Sequence, residues 1–191
     1  MNSRPLPSSA WIDRRRFLAG VAGVAGAAAL AQLPVGQAMA APRPAGGDLL
    51  WHDAWDGFPA ARNRLTDAWA RHEVSNPVVV TGDWHSTFVN DILRDFDDPS
   101  SQVVASEFVG TSISSNGDGE VYGPYYGPMI RFNPHIKFFD GDRRGYVRCR
   151  VGRAQMRADL QMVTTVSRPD APESTFASFV VENGQPGAQR D

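Results

Sequence analysis

Asp83 and His85 stand two residues apart in the stretch Thr81-Gly82-Asp83-Trp84-His85-Ser86, directly behind the apolar run Pro77-Val78-Val79-Val80. A β-branched run that breaks at glycine and then offers a carboxylate and an imidazole reads as a buried strand ending in a metal-ligand loop. Carboxylate oxygen and imidazole nitrogen suit hard and borderline metal ions. The two side chains share a side if the backbone stays extended and converge if it turns. The carboxyl end of a strand is also where α/β sheets place their sites. The spacing alone equally suits a cap or a surface pair. Ser86 is either a donor behind the ligands or the N-cap of whatever follows. Asp83 and His85 are thus the metal-site candidates, and the sequence assigns no catalytic nucleophile and no organic cofactor site.

The other titratable residues carry less. His135 follows Pro134 ahead of a strand, where it packs or lines a site. His52 and Asp53 are possible ligands beside a Pro/Gly-containing leader, whereas Asp56 suits a helix N-cap near Pro59. His72 falls near a helix C-terminus, where partial positive charge is favoured. Cys149 alternates with Val147 and Val151, the pattern of a buried, inert thiol. Gly117-Asp118-Gly119 lacks the preceding strand and following helix of a phosphate-cradling loop.

The elements that must position Asp83 and His85 read as α/β. Pro59 opens a helix over 59–73 whose Ala61, Leu65, Ala68 and Trp69 share one face. A strand at 77–81 precedes the loop and is expected to be the central one. Asn90 to Arg94 suggests a short helical turn, Gln102 to Val109 a strand, and Thr111 to Gly127 a long loop. Ile136 to Phe139 is a short strand and Asp140-Gly141-Asp142 a turn. Val147, Cys149 and Val151, then Met156, Ala158, Leu160 and Met162, alternate with polar residues on either side of Gly152-Arg153-Ala154-Gln155, which predicts a hairpin over 146–163. Phe176 to Val181 makes a further strand, and Asn183 to Gly187 ends the fold.

The N-terminus reads as an address. Arg14-Arg15-Arg16-Phe17-Leu18 has the twin-arginine pattern, Phe17 to Leu33 is weakly apolar, and Ala38-Met39-Ala40 has the shape of a signal-peptidase site. The expectation is a signal peptide over 1–40, cleavage after Ala40, a flexible leader over 41–50, and one domain over 51–191. The chain would then meet the twin-arginine export machinery, reach the periplasm or the exterior, and keep no stable membrane anchor. Residues 41–191 carry 15 Lys and Arg against 20 Asp and Glu, a net charge of about −5, which argues against nucleic acid as a partner. With a single cysteine, the chain forms no internal disulfide.

Several stretches, in order, resemble the alkaline phosphatase D family of PhoD-like metallophosphatases. They are Asp53 to Ala60, Asn76 to Ser86, Glu107 to Ser115, Asn133 to Phe139, Arg144 to Arg148 and Ala177 to Val181. The resemblance covers the C-terminal portion of the family. It implies a partial calcineurin-like sandwich, mostly β with one clear helix, and hydrolysis of phosphate monoesters or diesters at a calcium and iron cluster. It further implies that Asp83 and His85 are late ligands to that cluster, whose charge polarises phosphoryl oxygens and acidifies the attacking oxygen. The family's earlier stretch, with its Gly-Asp-Tyr and Asp-His-Glu motifs, has no counterpart ahead of the Trp55-Asp56-Gly57 segment. The alternative is therefore a truncated, inactive remnant or a non-catalytic exported module. Two ligands alone predict weak metal binding and hydrolysis near background.

Overall fold

The computed structural model describes residues 55–114, 117–119 and 122–191. The signal, the leader, His52 and Asp53 lie outside the described residues. Residues Trp55–Gly57 form a single 3-10 turn, closed by the Phe58 N–H on the Trp55 carbonyl at 3.0 Å.

From Pro59 onward the chain forms helix α1 (Pro59–Arg71), strands β1 (Val78–Thr81), β2 (Thr87–Leu93) and β3 (Val103–Val109), helix α2 (Tyr122–Ile130), and strands β4 (Ile136–Asp140), β5 (Arg144–Val151), β6 (Gln155–Val163), β7 (Glu173–Glu182) and β8 (Gln189–Arg190). Proline at the first position of α1 supplies a preset φ and lacks only an N–H that has no partner inside the helix. The helix stops where Glu73 turns left-handed, at φ 48°. The Val74 N–H then reaches the Trp69 carbonyl and the Glu73 N–H the Ala70 carbonyl, the paired bonds of a Schellman stop. Thr66, buried on the inner side of α1, ties it to the sheet by donating to the Arg94 carbonyl at 3.0 Å.

The strands form two four-stranded sheets, in the orders β1-β3-β2-β4 and β5-β6-β7-β8. The first is mixed: β1 runs parallel to β3, and β2 is antiparallel to both β3 and β4. The second is an antiparallel meander. Val89 and Phe108 of the first sheet and Leu160, Met162, Ala177, Phe179 and Val181 of the second share one core. Phe138 of β4 seals it, edge-on to Phe176 and Phe179 at 5.9 and 5.7 Å. Together these make the expected partial sandwich.

Four expectations need correction. Strand β1 is not buried and central but, like β4, an edge strand of its sheet among the described residues, with Val80 60% exposed. Residues 90–93 are not a helical turn; Thr87–Leu93 is a strand, because Val89 and Leu93 bury on one face while Asn90 finds Glu107 across the ladder at 2.7 Å. The 111–127 loop gives way to α2 from Tyr122 onward. The fold continues past Gly187, where the buried Ala188 leads into β8.

Candidate metal site

The loop after β1 is fixed by its main chain. Parallel pairing of β1 with β3 extends past the strand ends, with the Gly110 N–H on the Thr81 carbonyl at 2.9 Å. Beyond Gly82, both Asp83 and His85 take left-handed backbone conformations, at φ 71° and 57°. Asp and His tolerate that region better than most residues, yet each such residue still costs on the order of 1 kcal/mol. Two within three residues is a concentration of strain that the surroundings must hold in place.

They do so chiefly through the His85 carbonyl. Arg144, 1% exposed at the start of β5, donates to it through Nη1, and its Nε donates to the Gly117 carbonyl at 3.0 Å. Thr111 Oγ1 lies 3.1 Å from the same His85 carbonyl and 3.1 Å from the Arg143 carbonyl; its single proton serves one at a time. Asp140 sets up Arg144: its carboxylate receives the Asp142 and Arg143 N–H groups at 3.1 and 2.9 Å and the Arg143 guanidinium, closing the β4–β5 turn. Gly145 is then required by close approach, since a Cβ there would stand 1.9 Å from the Gln161 carbonyl oxygen.

Trp84, between the two candidate ligands, anchors the loop from the other side. Its ring meets Phe88 edge-on at 6.5 Å and Tyr126 of α2 at 5.6 Å, and Phe88 lies 4.9 Å from Phe139. Ser86 is fully buried, and its hydroxyl has no hydrogen-bond partner among the described residues. Asp83 is exposed and His85 half-buried. The Asp83 carboxylate has no hydrogen-bond or ion-pair partner among the described residues. No group of three or more His, Cys, Asp and Glu gathers among the described residues.

Among the described residues, the other candidates have different surroundings. The His135 ring packs edge-on against Phe96 at 5.2 Å, and its carbonyl takes the Asp91 N–H at 2.8 Å, well along β2 from His85. His72 is exposed just past α1. Cys149 faces the core side of β5, half-buried, and burial, aided by the charge of Asp159, pushes its thiol pKa up, as suits an unreactive sulfur. With Val78, Val80, Val151, Met156 and Val181 it lines an open cleft of about 390 Å³, to which Asn76, Arg153, Gln155 and Asn183 also contribute. Asp118 receives Thr165 Oγ1 and the Val166 N–H, a loop-fastening role rather than an anion site. Sequence reasoning missed Arg144, whose signal was only its place in the Arg144-Gly145-Tyr146 stretch. It also assigned no role to Glu107, whose pKa is raised by burial against the opposing bond from Asn90.

Comparison with known proteins gives a consistent picture. The profile of PhoD-like phosphatases matches residues 29–160. Alkaline phosphatase D of Bacillus subtilis (strain 168) is 41% identical over 138 residues, which are 72% of this chain and 24% of that protein. A solved structure titled "Structure of PhoD" superposes with a TM-score of 0.65 at 41% identity, over 72% of this chain and 26% of the other. The chain thus spans about a quarter of the length of the relatives it matches.

Proposed function

We propose that this chain, which belongs to the PhoD-like phosphatase family, acts in the metal-dependent hydrolysis of phosphate esters, with Asp83 and His85 as metal ligands. The observation that carries this is the loop itself: two potential ligands on left-handed backbone, with the carbonyl of the second gripped by the buried Arg144. Strain of that kind persists where the surroundings over-determine it, and it concentrates at ligand clamps.

The donors fit such an ion. The Asp83 carboxylate is exposed, the half-buried imidazole follows two residues on, and the buried Ser86 hydroxyl lies next in the chain. Carboxylate oxygen suits calcium, and imidazole with carboxylate suits iron. When bound, the metal supplies positive charge that polarises a phosphoryl oxygen and acidifies the attacking water. The protein's own part is positioning. Arg144 and Thr111 hold the His85 main chain, and packing of Trp84 on Phe88 and Tyr126 keeps the loop from swinging. Two ligands leave most coordination positions to other donors, so turnover by this chain alone is expected to be slow.

The test is hydrolysis of bis(4-nitrophenyl) phosphate and of 4-nitrophenyl phosphate with added calcium and iron. The expected result is slow release that chelator stops and that Asp83→Ala and His85→Ala each abolish. Release indifferent to chelator and to both substitutions would contradict the assignment. Export is a separate proposal, supported by Arg14-Arg15-Arg16 and Ala38-Met39-Ala40. Replacing the three arginines by lysine should block it, and exported protein retaining Met1 would reject cleavage after Ala40.

A further inference from the structure

The second sheet carries a cluster of charges that the phosphatase reading does not use. Val147 and Cys149 of β5 turn toward the core, so Arg148 and Arg150 stand on the outer face. Opposite them on β6 is Asp159, 2% exposed, flanked by Arg157. The Asp159 carboxylate is saturated. Ser178 Oγ and Arg157 Nε donate to Oδ1, each at 2.8 Å, and Arg150 and Arg148 donate through Nη2 to Oδ2 at 2.7 and 3.3 Å.

A carboxylate offers about four acceptor sites and a guanidinium five N–H donors. The structural duty of this cluster, satisfying one buried carboxylate, therefore consumes one donor from Arg148 and one from Arg150. Beyond Asp159 neither guanidinium has a hydrogen-bond or ion-pair partner among the described residues, and their side chains are 46% and 64% exposed. Arg157 differs, because it is also occupied by Asp191. The nearby Glu173 accepts from the Tyr146 hydroxyl at 2.9 Å. Asp159, Asp191 and Glu173 balance the three guanidiniums in charge, so what the cluster offers is unused N–H donors, held where two forks converge on a single oxygen.

We propose that Arg148 and Arg150 form a binding site for a phosphate-type oxyanion on the outer face of the second sheet, separate from the Asp83–His85 loop. Planar guanidinium forks match tetrahedral oxyanions through paired N–H donors, and two of them set side by side gain from a shared anion. Asp159 pre-sets the pair by fixing one nitrogen of each. The site is remote from the metal loop: Arg144 grips His85 at one end of β5, and Arg148 and Arg150 follow at four and six residues, roughly 13 and 20 Å along the strand.

The experiment is titration of the chelator-treated chain with inorganic phosphate at constant ionic strength, followed by backbone amide NMR shifts. Saturable shifts centred on β5 and β6 are expected. Arg148→Gln with Arg150→Gln should weaken the affinity by about tenfold or more, the loss of charge-assisted bonds from two forks. Arg150→Gln alone, which leaves Asp159 with three donors and so protects the fold, should weaken it in the same direction. Asp83→Ala and His85→Ala should bind as the unsubstituted chain does, which separates this site from the phosphatase site. Absence of saturable binding, or affinity unchanged by the arginine substitutions, would overturn the proposal.

Discussion

Asp159 and Asp83 are both carboxylates carried by a β framework, and the molecule treats them in opposite ways. Asp159 lies on β6 in regular register opposite Arg148 and Ser178, 2% exposed, with its oxygens filled by one hydroxyl and three guanidiniums. Asp83 lies beyond the end of an edge strand, exposed, on left-handed backbone. Around Asp159 the protein satisfies the side chain; around Asp83 it satisfies the main chain beside the side chain. A carboxylate whose lone pairs the protein fills serves the fold. One that faces outward from a braced loop is available to a ligand.

That contrast is most open to attack in the frame joining the two regions. Gly145→Ala would drive a Cβ into the Gln161 carbonyl, where backbone rather than a flexible side chain must give way. A loss of about 3 kcal/mol is expected in denaturant unfolding. Arg144→Ala should cost about 2 kcal/mol, because the His85 and Gly117 carbonyls lose a charged donor. The two variants should separate in metal binding measured under folding conditions, with Arg144→Ala losing more because it frees His85 directly.

Asp159 supplies a pH signature. The Ser178 hydroxyl first, then Arg157, Arg148 and Arg150, hold its pKa down to about 2 against the opposing effect of burial. A depressed carboxylate pKa contributes stability that is present above the unfolded value near 3.9 and is lost as pH falls through the folded value. The unsubstituted chain should therefore lose stability between about pH 4 and pH 2. Asp159→Asn should be less stable at neutral pH and should flatten that part of the profile; an unchanged acid limb would show that the ion cluster adds nothing. Asp83→Gly should move stability the other way by a smaller amount. Glycine enters left-handed backbone without steric cost, so a gain of up to about 1 kcal/mol is expected together with loss of the ligand.

The same contrast explains what the sequence discloses. The β5–β6 hairpin was legible because Val147, Cys149 and Val151 alternate with arginines and the short Gly152 connection leaves one register, which pairs Val147 with Leu160. Helix α1 was legible from Pro59 and its apolar face. Strand β2 was not, because Asn90 and Asp91 are poor strand formers; their partners are distant in sequence, Glu107 accepting from Asn90 and Lys137 forming an ion pair with Asp91 at 3.2 Å. Helix α2 was hidden by its two glycines and two prolines, and Tyr126 meets Trp84 only in the folded chain. Asp83 and His85 could be named from spacing, but no local pattern announces that Arg144, well over fifty residues on, holds their loop.

The most direct test of the account is Mn²⁺ titration of the purified chain, with free and bound ion followed by electron paramagnetic resonance, since Mn²⁺ accepts the same oxygen and nitrogen donors. Weak saturable binding is expected, with Asp83→Asn and His85→Gln each reducing it to the level of chelator-treated controls. Mn²⁺ binding that stays equal in the unsubstituted chain and in both variants would contradict the central claim that this loop is built to hold a metal.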